Sequence, residues 1–162
     1  MGFGRIALIG ISAAAGLAVI AVLLIWVRWS DDKEGSAETL ATGLAVYQQH
    51  CASCHGARLK GQPEWQRPLP TGRLPAPPHD ASGHTWHHSD RMLFDITKNG
   101  TAAVVGGGYE SDMRGFGSIL SDDEIRAVLA FIKSSWSERE RQYQEDMSRR
   151  DTGPRPSEET AQ

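Results

Sequence analysis

Cys51-Ala52-Ser53-Cys54-His55 holds both cysteines of this 162-residue chain, in a Cys-x-x-Cys-His array. Two thiols separated by two residues, with an imidazole directly after, can do one demanding thing together. Both sulfurs reach one edge of a macrocycle and add across the vinyl groups of a haem. The adjacent imidazole then points at the iron as an axial ligand. The array is the attachment sequence for c-type haem, so Cys51 and Cys54 are candidate thioether donors and His55 a candidate iron ligand.

Three other chemistries fit the array less well. A thioredoxin-like redox pair sits near the start of a βαβ pattern, and none is visible here. A tetrahedral zinc site needs two more ligands at motif spacing, and there is no second cysteine pair. A structural disulfide across two residues is strained. With both thiols used for thioethers, cysteine usage gives no separate report on the redox compartment.

An iron held by His55 has a second axial position. Of the four methionines, Met1 is terminal, Met147 lies in a polar tail and Met92 precedes the apolar pair Leu93-Phe94. Met113 stands in a glycine-rich loop, Ser111-Asp112-Met113-Arg114-Gly115-Phe116-Gly117. A flexible thioether on a loop can cross to a metal, and it can equally fill a core.

Three helices must position these groups, and no strand pair is apparent, so the class is all-α. The first runs from about Ala37 to His50, with Ser36 as N-cap and Leu40, Leu44 and Tyr47 on one face, and it leads straight into Cys51. The second starts at Ser89 and stops at Asn99-Gly100. The third opens on the capping box Ser121-Asp122-Asp123-Glu124 and carries the stripe Ile125, Val128, Leu129, Ile132, Trp136. The segments 61–83 and 100–120 are proline- and glycine-rich loops whose use is to wrap a planar cofactor, and Gly106-Gly107-Gly108 lets the backbone turn toward Met113. A phosphate loop is excluded there by the missing Lys-Ser/Thr and preceding strand.

Before the domain, Ile6 to Val27 is an apolar run of 22 residues, long enough to span a bilayer. It ends in Trp26-Val27-Arg28-Trp29, an interfacial anchor, and no small-x-small cleavage pattern follows directly. The expected organisation is a cytoplasmic N-terminus (1–5), a transmembrane anchor (6–28), a linker (29–36), a haem domain (37–136) and a charged extension (137–162), helical at first and then disordered. Basic residues nearly balance across the anchor, so the haem motif decides orientation, and the domain is expected in the periplasm of a bacterial inner membrane. Residues 38–136 carry 9 Lys and Arg against 10 Asp and Glu, with no basic patch interleaved with aromatics, so nucleic-acid binding has no support. No small-molecule substrate is expected either.

Four of six histidines fall in His79-Asp80-Ala81-Ser82-Gly83-His84-Thr85-Trp86-His87-His88. Imidazoles suit copper or zinc, but this spacing does not aim all four one way. Capping, packing on Trp86 or bonding a haem propionate are the simpler uses. Trp65, Trp86 and Trp136 read as pocket or core aromatics. Arg58, Arg67 and Arg73 read as solvated, with a propionate partner as the alternative.

From Ala37 to Trp136 the chain resembles the class I cytochromes c, in their monohaem, membrane-anchored bacterial form. The likeness lies in an N-terminal helix, Cys-Ala-Ser-Cys-His-Gly, loops, Met113-Arg114-Gly115-Phe116, and a helix beginning Ser121-Asp122-Asp123-Glu124-Ile125. Arg114 departs from the proline usual after the methionine. The resemblance implies one covalent haem c, His55 as proximal and Met113 as distal ligand, and terminal helices crossing with Leu44 and Tyr47 facing Leu129 and Ile132. It also implies a proline carbonyl on the proximal imidazole, with Pro75, Pro77 and Pro78 as candidates. The implied function is single-electron transfer in a respiratory chain, without an enzymatic reaction. Implied partners are membrane-bound redox proteins: a quinol-oxidising complex and a terminal oxidase or reductase. The alternatives are an open-site haem sensor or enzyme, and a copper-handling accessory protein using His79, His84, His87 and His88.

Overall fold

The computed structural model describes residues 35–151, and Val19 besides. Chain contacts divide the molecule at Ser36 into two units, and the elements below belong to the second, Ala37–Gln162. The expected anchor (6–28), most of its flanking segments and the last eleven residues lie outside the described residues. Among the described residues no helix is long and apolar enough to cross a membrane.

Helix α1, Ala37–Val46, does not end where its α-helical pattern stops. It continues through a π-helical turn, Tyr47–Cys51, into the short α2, Ala52–His55. A π-turn inserts one residue into the helical repeat and shifts the register of everything after it. Here it falls between the packed face of α1 and the Cys-x-x-Cys-His array. The expected single helix to His50 is corrected in this respect.

Of the expected face, Tyr47 is buried but Leu44 is not. Leu44 is 40% exposed, whereas Val46 and Tyr47 are buried with Gly43. The cause is a close crossing. A Cβ on Gly43 would stand 2.0 Å from the Ala127 carbonyl oxygen and 2.8 Å from Phe131 Cβ. The helix touches the helix Asp122–Ser134, α5, backbone to backbone, which only a glycine allows, and Leu44 is thereby turned outward. Periodicity of large apolar side chains cannot reveal a contact made by the residue without one.

Helix α3, Asp90–Asn99, begins as expected: the Ser89 hydroxyl accepts from the Met92 amide at 3.1 Å, and Gly100 closes the helix with φ 88°. The loop expected after it contains a further short helix, α4, Thr101–Val105. Helix α5, Asp122–Ser134, has the capping box between Ser121 and Glu124 and buries Ile125, Val128, Leu129 and Ile132, with Trp136 just past its end. These pack with Val46, Tyr47, Leu59, Leu93, Phe116 and Leu120 into one core. No strand forms among the described residues; one isolated bridge joins Gly100 to Arg114.

The extension is helical at first, as expected, but as a helix separate from α5 and docked on the domain. Ser137 and Glu140 make a second capping box and start a separate helix, α6, Glu138–Arg150. Its Gln144 is fully buried, and Gln144 Nε2 donates to the His88 carbonyl (3.3 Å), Asp90 Oδ1 (2.8 Å) and Ser148 Oγ (3.0 Å). Asp151, just beyond α6, accepts from Ser89 and pairs with Arg91. Helix propensity and charge suggested the helix; its docking depends on polar partners some sixty residues away.

Two substitutions test this packing. Gly43→Ala should destabilise the domain by about 2 kcal/mol through overpacking at the α1–α5 crossing. Gln144→Ala should cost about 1–3 kcal/mol by emptying a fully buried position and leaving the His88 carbonyl without its side-chain donor. Denaturant unfolding of each variant beside the parent measures both.

Candidate functional site

The π-turn and α2 present Cys51 half-buried, Cys54 exposed and His55 buried on one short helical stretch. Both thiols are free. Burial, and secondarily the neighbouring Cys54, push the Cys51 thiol up to about 11. A dithiol redox pair has its attacking thiol shifted the other way.

His55 is 6% exposed, and its Nδ1 lies 2.9 Å from the Pro77 carbonyl oxygen. A carbonyl only accepts, so Nδ1 carries the proton and donates it, and Nε2 keeps its lone pair. Burial lowers the His55 pKa, with the Pro77 carbonyl working in the opposite sense. The result is a neutral imidazole with one nitrogen engaged and the other basic, the form a metal requires.

The fold selects Pro77 from the three prolines by running two chain segments side by side. Gly61 N donates to the His55 carbonyl at 2.7 Å, Gln62 N to Ala76 O at 2.9 Å, and His79 N to Leu59 O at 2.8 Å. The Gln62 side chain accepts from Ala76 N at 3.0 Å. Gly61 has φ 65°, and a Cβ there would stand 2.4 Å from Pro78 N. Glycine thus allows the turn after the array to press directly on the proline segment. Tyr47 completes the clamp, its hydroxyl donating to the Gly56 carbonyl at 2.8 Å, and burial lifts its phenol well above the usual range.

Met113 is half-buried and packs on the same core cluster as Cys51. Its loop has no proline, but its backbone is fastened at several points. Thr101 N donates to Met113 O (3.1 Å), Phe116 N to Thr97 O (2.9 Å) and Gly117 N to Lys98 O (2.9 Å). Arg114 lays its guanidinium over the Phe116 ring, 5.4 Å from its centre. All three glycines at 106–108 take positive φ. Arg73 pairs with Asp112 at 2.6 Å and Glu110 at 3.4 Å, tying the loop after the array to the Met113 loop.

The histidine group splits among different neighbours. His79 stacks on His55, His84 on Trp65, and His87 packs on Trp86 and Tyr143. His84 and His88 meet edge to face at 5.3 Å. Among the described residues no three His, Cys, Asp or Glu side chains gather as a metal-binding group. Trp136 is a core aromatic, Trp86 packs against the core, and Trp65 lies on the outer loop. The sequence offered Pro77 only as one of three candidate prolines and His79 only as a member of the histidine group, and it placed Tyr47 on a helix face and not at the site.

The donor set fits a haem. Two free thiols precede an imidazole whose Nδ1 is engaged, and among the described residues the buried Trp86 Nε1–H has no acceptor, as a propionate oxygen would provide. Among families, the model described as Cytochrome c matches residues 40–136, well over half of the chain. No curated protein and no solved structure matches.

Gly61→Ala tests the clamp. It forces a side chain into the Pro77-Pro78 backbone at positive φ, and should lower unfolding stability by about 2–3 kcal/mol. Thermal and denaturant unfolding read this out.

Proposed function

Because the chain belongs to the cytochrome c family, we propose that it is a membrane-anchored carrier of single electrons whose haem iron is held by His55 and Met113. The family carries covalent haem c, and its domain is that of a haem-based electron carrier. When bound, haem c supplies one-electron chemistry, iron passing between its ferric and ferrous states.

The chain's own residues do the rest. Cys51 and Cys54 hold the group by thioether bonds, so that it is not lost. His55 offers Nε2, and the Pro77 carbonyl increases that nitrogen's basicity through the proton on Nδ1. Met113 offers a thioether, a ligand that raises the reduction potential and suits delivery to a high-potential acceptor. The single observation that carries the reading is the His55–Pro77 bond beside two free thiols.

The apolar run Ile6 to Val27 supports anchoring in a bacterial inner membrane, with the haem domain on the periplasmic side. An anchor would confine the carrier to two dimensions near membrane-bound partners, a quinol-oxidising complex on one side and a terminal oxidase or reductase on the other.

Optical spectra of the oxidised and reduced protein test the ligand set. The parent should show the weak far-red thioether–iron band when oxidised and should not bind carbon monoxide when reduced. Met113→Ala should lose the band, bind carbon monoxide and have a lower potential. A parent that already binds carbon monoxide readily would overturn Met113 ligation and favour an open-site sensor or enzyme.

A further inference from the structure

One half-buried side chain touches the proximal imidazole and is used by nothing above. The rings of His55 and His79 are stacked, with centres 4.0 Å apart and planes 24° apart. We propose that His79 is a positioning residue that sets the rotational orientation of the His55 ring. The proposal rests on the haem-carrier reading and adds a role that the Pro77 bond cannot fill.

The argument concerns degrees of freedom. His55 is held at Cβ by its own backbone and at Nδ1 by the Pro77 carbonyl, 2.9 Å away. Both restraints lie in the plane of the ring. A hydrogen bond has a broad angular preference at a carbonyl oxygen, so the ring can still tilt about the line joining those two points. A flat group against its face removes that tilt, because rotation would drive one ring edge into it. Offset stacking is a favourable arrangement for such a pair.

His79 can serve as that flat group only if it is itself fixed, and its restraints are unusually complete. Its amide donates to Leu59 O at 2.8 Å, and its carbonyl accepts from Trp136 Nε1 at 2.7 Å. Its ring Nδ1 lies 2.8 Å from Thr85 Oγ1. The Tyr47 ring meets it edge-on at 6.3 Å. Thr85 is buried and its hydroxyl also reaches the Pro78 carbonyl at 3.4 Å. An aliphatic side chain could fill this volume, but it would offer neither a flat face nor an edge for Thr85 to hold. The chain of contacts also runs to Trp136, at the end of α5, so the C-terminal part of the domain helps to hold the plate that faces His55.

The test uses the full haem-loaded protein and reads ligand orientation directly. In the ferric state, the order and spread of the four haem-methyl proton resonances follow the plane of the axial imidazole. His79→Leu should rearrange that pattern, and His79→Phe, which keeps a flat ring, should restore most of it. Thr85→Val, which frees only the Nδ1 edge, should shift the pattern in the same direction by less. A parental pattern in a haem-loaded His79→Leu protein would overturn the proposal while leaving the carrier reading intact. If His79→Leu fails to load haem, Thr85→Val decides, and a parental pattern there would overturn the proposal. A parent protein carrying no covalent haem would overturn the carrier reading and this proposal with it.

Discussion

A hydrogen bond between the buried imidazole of His55 and the carbonyl of Pro77, 22 residues away, is the constraint around which the domain is organised. A buried imidazole with an unmet N–H would lose the full hydration of that group. The chain meets the demand with a backbone carbonyl, which has no side-chain freedom to lose. Bringing that carbonyl to His55 requires the segment after the array to turn sharply and run against the proline segment, and the paired bonds of residues 59–62 with 76–79 are the result. Proline suits the partner segment because its fixed φ lowers the entropy lost on ordering.

The loops of this domain are long, yet they are not loose. Residues 110–117 are tied through their backbone to the end of α3 and the start of α4, and Arg73 joins the two loop systems across the surface. The Arg73 pairs are largely exposed, and such pairs contribute little stability by themselves. The backbone bonds carry the geometry, with the ion pairs adding register. Backbone bonds of this kind hold the segment around Met113 in one arrangement.

A domain of about 100 residues has a marginal core, and this one extends it with a helix beyond the matched family region. The buried face of α6 is largely polar: Glu140 and Gln144 stand where apolar side chains would be expected. The His88 carbonyl and Asp90, which accept from Gln144 Nε2, make the docking specific in register. An apolar stripe would have adhered to many surfaces, whereas the two acceptors that the start of α3 and the segment before it offer to one buried amide accept only one placement.

Local chemistry was legible in the sequence wherever a few adjacent residues decide the outcome. The Cys-x-x-Cys-His spacing, the caps at Ser89 and Ser121, the glycine stop at Gly100 and the stripe on α5 depend on hydrogen bonds and periodicities within a dozen residues, and the family followed from their order. The tertiary structure alone decided what depends on distant segments meeting. Three prolines were chemically equivalent until the fold brought Pro77 to His55. Leu44 looked like a core residue until the closest approach of two helices fell on Gly43. His79 belonged to a histidine-rich run until its ring came to lie on His55. The docking of the tail was hidden because the His88 carbonyl and Asp90, which accept from Gln144, lie more than fifty residues away. In each case the deciding quantity is a contact between groups remote in sequence, and residue type and spacing hold no record of it.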